Sequence, residues 1–318
     1  MVPASPAPSD PTVVARLGLG LAAVGRPAYI TRDRDSDLGS ERSVDDLERR
    51  AHAVLDAAWD EGIRYVDAAR SYGRAEMFLG SWLAAHPGRR DELTIGSKWG
   101  YRYTGGWRMD AREHEVKEHS RSALDEQWPE TLAALGTAPD VYLVHSVTPE
   151  SPAFTDAALL DGLRRIADTG VRVGFSTSGA SQGAVIEAAL SLEDSPFSAV
   201  QTTWNVLEQS AGDALAQADS RGWLVVVKEV FANGRALDEP AAGRATGAPG
   251  APAHPELAVL GAALSKPWAD IVLVGAVTPE QIRLDATARP LDLPDDVLAA
   301  LAEAPDAYWR TRSDLPWT

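Results

Sequence analysis

Short apolar runs recur along this chain, separated by longer stretches of helical period, and that alternation restricts its fold more than any other feature. The runs fall at about 15–21, 63–67, 93–97, 140–144, 171–175, 198–203, 223–228 and 270–274. Most are rich in Val, Ile or Leu and have the length of buried parallel strands. Between the first two, Asp45 to Trp59 places Leu47, Ala51, Val54, Leu55 and Ala58 on one helical face. Ser43 can cap that helix, with Asp46 three residues on in near capping-box spacing. Eight strands alternating with helices predict an α/β fold, a single-domain (β/α)8 TIM barrel over 13–318; a doubly wound sheet is the competing architecture. Residues 1–12 lack the basic charge and apolar core of a signal peptide and read as a disordered tail.

The barrel is expected to carry elaborations. Residues 99–112 read as a long aromatic, Gly-rich loop after strand three, and 236–255, dense in Ala, Gly and Pro, as another after strand seven. Loops of this length in compact domains are commonly lids or binding loops. The C-terminal segment from Tyr308 to Trp317 carries aromatics and arginines and is expected to fold back over the barrel mouth.

Three consecutive runs end in polar residues. Asp67 ends Tyr65-Val-Asp67, with Tyr72 five residues later; Lys98 ends Leu93-Thr-Ile-Gly-Ser-Lys98; His145 follows Val141-Tyr-Leu-Val144. In a parallel barrel all strand ends open on one face, where active sites are built. A lysine at the end of a buried strand needs a partner, and Asp67 on the adjacent strand is one. Asp67, Tyr72, Lys98 and His145 gathered there form a proton-donor set, with the lysine able to tune the tyrosine.

Other patterns are weaker. Gly18-Leu-Gly20-Leu-Ala-Ala23 matches a dinucleotide fingerprint, but Gly25 and Pro27 interrupt the helix that a Rossmann turn needs. His114 and His119 resemble a zinc helix, yet they sit five residues apart, about 140° around a helix, where a zincin needs four. They read as a solvated helix face, and no metal is expected. The net charge of −16 opposes nucleic acid and anionic membranes as partners. Cysteine is absent, which removes disulfides and thiolate chemistry. No apolar run approaches the roughly 18 residues that span a membrane, so the expected compartment is the cytoplasm.

With Asp67-Ala-Ala-x-x-Tyr72-Gly73, Ser97-Lys98 and Val144-His145 in place, the chain resembles an aldo-keto reductase. Gly174-Phe-Ser176-Thr177, Gln201 in Val200-Gln-Thr-Thr-Trp-Asn205, and Gly275-Ala-Val-Thr-Pro279-Glu-Gln281 add to the likeness. The resemblance implies an NAD(P)-dependent oxidoreductase that transfers a hydride to an aldehyde or ketone, or runs the reverse alcohol oxidation. Tyr72 would be the general acid, with its pKa lowered by Lys98, Asp67 fixing Lys98, and His145 orienting the carbonyl. Ser176 and Gln201 would hold the nicotinamide carboxamide, Thr177, Gly234 and Arg235 would also contact the cofactor, and 236–255 would form a strap over the pyrophosphate, with Arg235 and Arg244 able to reach phosphates. Lys228 stands where an aromatic ring commonly stacks on the nicotinamide. In the 2′-phosphate region, Gly275, Gln281 and Asp285 replace more favourable residues, while Arg283 could face a phosphate. Because the family mostly uses it and Arg283 is available, the resemblance favours NADP(H), with NAD(H) possible.

The substrate pocket is expected between the first-strand loop, the 99–112 loop and the C-terminal segment. Tyr29, Tyr101, Trp107, Trp204 and Trp309 suggest aromatic walls for an apolar or ring-bearing carbonyl or alcohol. Two other classes fit the same residues: a cofactor-sensing regulatory subunit, and a Schiff-base lyase using Lys98 or Lys228.

Overall fold

The computed structural model describes residues 9–30, 38, 39 and 41–317. In chain order its strands are β1 (Leu17–Gly20), β2 (Tyr65–Asp67), β3 (Thr94–Trp99), β4 (Tyr101–Tyr103), β5 (Glu115–Lys117), β6 (Val141–Val147), β7 (Arg172–Thr177), β8 (Ala199–Thr203), β9 (Leu224–Lys228) and β10 (Ile271–Val274). Eight of them close into a parallel barrel in the order β1-β10-β9-β8-β7-β6-β3-β2. The pair β4 and β5 forms a separate antiparallel hairpin. The chain is thus a (β/α)8 TIM barrel.

The helix after β1 runs Val44–Asp60, and Ser43 caps it by accepting from the Asp46 amide at 3.2 Å. It buries Leu47, Ala51, Val54, Leu55, Ala57 and Ala58, the apolar face that its period predicts. Inside the barrel, Tyr65, Val141, Leu143, Ala199, Val226 and Leu273 fill one packed layer. Side chains two residues further along a strand face the same way. Asp67, His145, Gln201 and Lys228 therefore sit above that layer, at the C-terminal mouth.

Several local expectations change. β6 runs on through His145 to Val147, with a register shift between Val144 and Val147 and Ser146 at φ 57°. The 99–112 region starts as β4, because alternating Tyr101 and Tyr103 pair with Lys117 and Glu115. The segment holding His114 and His119 is not helical but includes β5, and both histidines are buried. Within 236–255, Ala241–Thr246 is a helix whose Ala241, Ala242 and Ala245 are buried. Small apolar residues let it pack closely where composition alone suggests a loop. Pro305–Ser313 is also a helix, and Tyr308 and Trp309 bury against Ala232, Ala236 and Ala241. Of the described C-terminal segment, Arg312 and Trp317, the latter bridged to Ile30, line the mouth. Of the expected N-terminal tail, residues 1–8 lie outside the described residues, and Asp10 caps a short helix, Pro11–Val14. Among the described residues, no helix is long and apolar enough to cross a membrane.

The opposite end of the barrel is closed by Arg16. Its guanidinium donates to Leu264 O at 2.7 Å, Lys266 O at 2.9 Å and Ala269 O at 2.7 Å, pinning the turn before β10 to β1. Arg16→Met should lower unfolding free energy by about 1.5–3 kcal/mol, the scale of hydrogen bonds to a charged group. Urea titration checks this. Because these bonds lie far from the mouth, ligand affinity there should stay within about twofold, roughly 0.4 kcal/mol.

Candidate active site

The mouth is organised around one buried ion pair. Lys98 in β3 is fully buried, and Asp67, the last residue of β2, is 2% exposed. Lys98 Nζ is paired with Asp67 Oδ2 and donates to Ala68 O at 2.9 Å. The other carboxylate oxygen, Oδ1, accepts from Gln201 Nε2 at 2.7 Å. Burial lowers the Lys98 pKa, and Asp67 opposes that shift. Glu76, also buried, supports the neighbouring backbone by accepting from Ser97 Oγ at 2.6 Å and pairing with Arg70.

Tyr72 lies over this pair, with Lys98 Nζ 4.7 Å from its ring centroid. Its position depends on a close approach of two loops. A Cβ on Gly25 would lie 2.4 Å from Tyr72 O, and one on Gly73, at φ 60°, would lie 2.5 Å from Gly25 O. The Tyr72 pKa is raised well above its ordinary value, first by burial and then by Asp67, with Arg26 opposing. The net shift is upward, because burial and the Asp67 charge both disfavour a phenolate. The phenol consequently stays protonated at neutral pH.

His145 stands edge-on to Tyr72, with ring centroids 5.5 Å apart, and Tyr101 is 5.0 Å away on its other side. Its Nδ1 lies 3.4 Å from Ser71 Oγ, and its carbonyl meets His119 Nε2 at 2.8 Å. Burial, followed by the charges of Lys98, Lys228 and Arg26, holds its pKa well below the ordinary value. The imidazole is therefore neutral at pH 7, able to donate one N–H to a carbonyl oxygen.

A cavity of about 620 Å³ runs from Tyr72 and His145 to the segment after β10, within the roughly 300–1,000 Å³ of small-molecule sites. Gly20, Asp67, Gln201, Lys228, Gly234, Gly275, Gln281 and Asp285 are on its wall. Lys228 donates to Thr203 Oγ1 at 2.8 Å, and burial brings its pKa down to about 8. Beside it, burial alone would raise the Glu229 pKa, but Arg312 and Lys228 outweigh that and hold it at about 2. Gln281 is committed locally, its Oε1 accepting from Val277 N at 2.8 Å. Burial and the nearby Glu256 raise the Asp285 pKa well above the ordinary carboxylate range.

Other expected site residues lie elsewhere. Ser176 accepts from Ser146 N at 2.8 Å, and Thr177 pairs with Thr202 at 2.8 Å; both are buried off the wall, while Ser178 lines it. Arg235 pairs with Glu303, and Arg283 is exposed beside Glu280 at 3.2 Å. Tyr29 and Tyr101 line the cavity. Trp107 instead donates to Arg42 O at 2.9 Å, Trp204 packs on Trp268, and Trp309 packs on Tyr308. Large aromatics fill core as readily as they line sites. Sequence reasoning missed Arg26, Glu115, Glu229, Asn233 and Glu256 on the wall. Arg26-Pro27, directly after a mouth glycine, was the one available signal.

The wall suits an extended dinucleotide. Space is open beyond Gly275, where an added Cβ would meet nothing within 4 Å. The buried Asn233 Oδ1 has no hydrogen-bond partner, so it can accept a ligand donor. Lys228 and Arg312 supply positive charge between the two ends.

Comparison with known proteins agrees with this geometry. Pyridoxal 4-dehydrogenase of Microbacterium luteolum is 27% identical over 252 residues, covering 70% of this chain and 68% of that enzyme. D-threo-aldose 1-dehydrogenase of a Pseudomonas species is 39% identical over 95 residues, which span 29% of this chain and 26% of that enzyme. The holo form of an aldo-keto reductase from Bacillus halodurans superposes with a TM-score of 0.67 at 20% identity, covering 91% of this chain and 92% of the other. The profile of the Aldo/keto reductase family matches residues 17–306, nearly the whole barrel, and the chain belongs to that family of oxidoreductases.

Proposed function

We propose that this chain interconverts a small carbonyl compound and its alcohol, with NAD(P)H as the hydride carrier. The observation that carries the reading is the buried Asp67–Lys98–Gln201 network beneath a protonated Tyr72 and a neutral His145. A bound nicotinamide cofactor supplies or takes up the hydride. Lys228, Asn233, Gly234 and Gly275 are the wall residues that would hold it. His145 receives the substrate oxygen through an N–H, and Tyr72 gives that oxygen its proton. Asp67 keeps Lys98 charged, and Gln201 fixes the free carboxylate oxygen, so neither group swings into the cavity. The hairpin and Trp317 narrow the mouth and limit water at the reacting carbon.

The relatives' names support substrates of modest size: one is a dehydrogenase of pyridoxal, the other of D-threo-aldoses. Tyr29, Tyr101 and Trp317 provide flat surfaces, and Glu115 and Arg26 provide polar contacts for ring-bearing or hydroxylated aldehydes. The Schiff-base alternative loses support at Lys98, whose ammonium is bound by Asp67 and Ala68 O.

Turnover of pyridoxal or simple aromatic aldehydes, followed by nicotinamide absorbance, tests the reading. Tyr72→Phe should reduce kcat by about 10²–10⁴, the usual contribution of a general acid. Cofactor affinity should remain within a few-fold, by fluorescence quenching. A variant that keeps more than half the wild-type turnover contradicts the assignment.

The residue-level ground for NADP(H), beside the family's usual choice, is Arg283, which is exposed and paired with Glu280. What supports NAD(H) instead is an acidic wall: Asp285 and Glu256 both line the cavity, and Asp285 is 4% exposed. A 2′-phosphate brings close to two negative charges against those acids. We therefore propose a preference for NADH of about tenfold or more in Kd, roughly 1.4 kcal/mol. Because the Asp285 pKa is raised, its carboxyl becomes charged only as pH rises through that value. The NADPH-to-NADH ratio of dissociation constants should accordingly widen with pH, and Asp285→Asn should narrow it. Tighter NADPH binding across the pH range would refute this preference.

A further inference from the structure

A neutral imidazole carries its single N–H on either ring nitrogen, and the hydrogen bond made at one nitrogen decides the role of the other. At His145 the question is which nitrogen holds the hydrogen. Nδ1 lies 3.4 Å from Ser71 Oγ, and Ser71 is fully buried. Nε2, across the ring, has no protein partner among the described residues and is left to the cavity that His145 lines. Edge contacts with Tyr72 at 5.5 Å and Tyr101 at 5.0 Å hold the ring in this pose. Only an Nε2–H can therefore meet an acceptor in the cavity.

The Ser71 hydroxyl can donate or accept. If it accepted from Nδ1–H, its own hydrogen would be buried without an acceptor, because Ser71 Oγ has no other polar partner among the described residues. A buried donor left unpaired carries its full desolvation penalty. If the hydroxyl donates instead, its hydrogen and Nδ1 are both satisfied, and the ring hydrogen sits on Nε2.

The same arrangement occurs once more in this chain. Nε2 of His119 lies 2.8 Å from His145 O, and a carbonyl only accepts, so that nitrogen bears the hydrogen. Burial brings the His119 pKa down to about 4, so its ring is neutral and its Nδ1 accepts from Ser151 Oγ at 2.6 Å. The turn that carries Ser71 is fixed by its own backbone. Arg70 N donates to Lys98 O at 2.9 Å, and Tyr72 N donates to Ala69 O at 3.0 Å.

We propose that Ser71 is a positioning residue that sets the tautomer of His145, donating to Nδ1 so that Nε2–H faces the substrate oxygen. Its meaning for catalysis rests on the oxidoreductase reading; the tautomer itself does not.

The test is NMR of the full chain with ¹⁵N-labelled histidine at neutral pH, without cofactor or substrate. Two-bond couplings from the carbon-bound ring hydrogens separate a protonated ring nitrogen from a bare one, and His145→Gln identifies the signals of His145. Wild type should show a protonated Nε2 and a bare Nδ1 at His145, the pattern of His119. Ser71→Ala should lower the ratio of the Nε2–H to the Nδ1–H tautomer by about tenfold, the worth of one hydrogen bond, and leave His119 unchanged. Ser71→Thr keeps the hydroxyl and should keep the wild-type pattern. A protonated Nδ1 in wild type, or the same ratio in wild type and Ser71→Ala, would overturn the proposal. Should Ser71→Ala fail to fold, Ser71→Cys, whose thiol is a weak donor, is read by the same outcomes. Carbonyl turnover should fall in Ser71→Ala and recover in Ser71→Thr; unchanged turnover beside a shifted tautomer would overturn the link to catalysis. The spectrum reads without turnover, so a chain with no carbonyl activity would refute the proposed function while leaving the serine contact tested.

Discussion

Burying a lysine and an aspartate side by side is the constraint on which the rest of this barrel mouth depends. Lys98 and Asp67 are almost wholly removed from water, at a desolvation cost of several kcal/mol per ion. The cost is offset only because each charge meets the other and the remaining polar atoms are satisfied. Ala68 O takes a further Lys98 proton, and Gln201 reaches the free oxygen of Asp67. Three parts of the barrel, β2, β3 and β8, are thereby tied together where the chemistry is proposed to occur.

The pair also sets the electrostatics of its surroundings. Burial combined with Asp67 keeps Tyr72 protonated, and burial combined with nearby cations keeps His145 neutral. Both states suit donors to a carbonyl oxygen. On the far side, Lys228, Glu229 and Arg312 form a second cluster, which fastens the C-terminal helix Pro305–Ser313 to the strand end of β9. The acids Asp285 and Glu256 close the end of the cavity after β10. The mouth is thus divided between a proton-donor end and an acidic end, with cations between them.

The fold was legible because a parallel barrel writes itself as eight apolar runs between helices, and all eight runs contain strands of the barrel. The strand-end chemistry was legible too, since Asp67, Lys98 and His145 follow directly from apolar runs whose ends share one face. What periodicity could not show was direction and partner. Ser176 and Thr177 close a strand as the family pattern suggests, but their hydroxyls turn to Ser146 and Thr202. Trp204 and Trp309 have the size of pocket walls and the burial of core. Arg283 has the right charge and faces solvent. Arg26 and Glu115 lie 89 residues apart, and only the closed hairpin brings them together.

The measurement that bears most directly on the central claim is a double-mutant cycle on the buried pair, reading unfolding free energy for Asp67→Asn, Lys98→Met and both together. Each single change leaves one charge buried without its partner, so each should cost about 3–5 kcal/mol. Removing both leaves no orphaned charge, and the double variant should be more stable than the sum of the singles implies, by about 2 kcal/mol or more. Additivity within about 0.5 kcal/mol would mean that the two groups do not depend on each other, and it would contradict the claim that their pairing holds the site together.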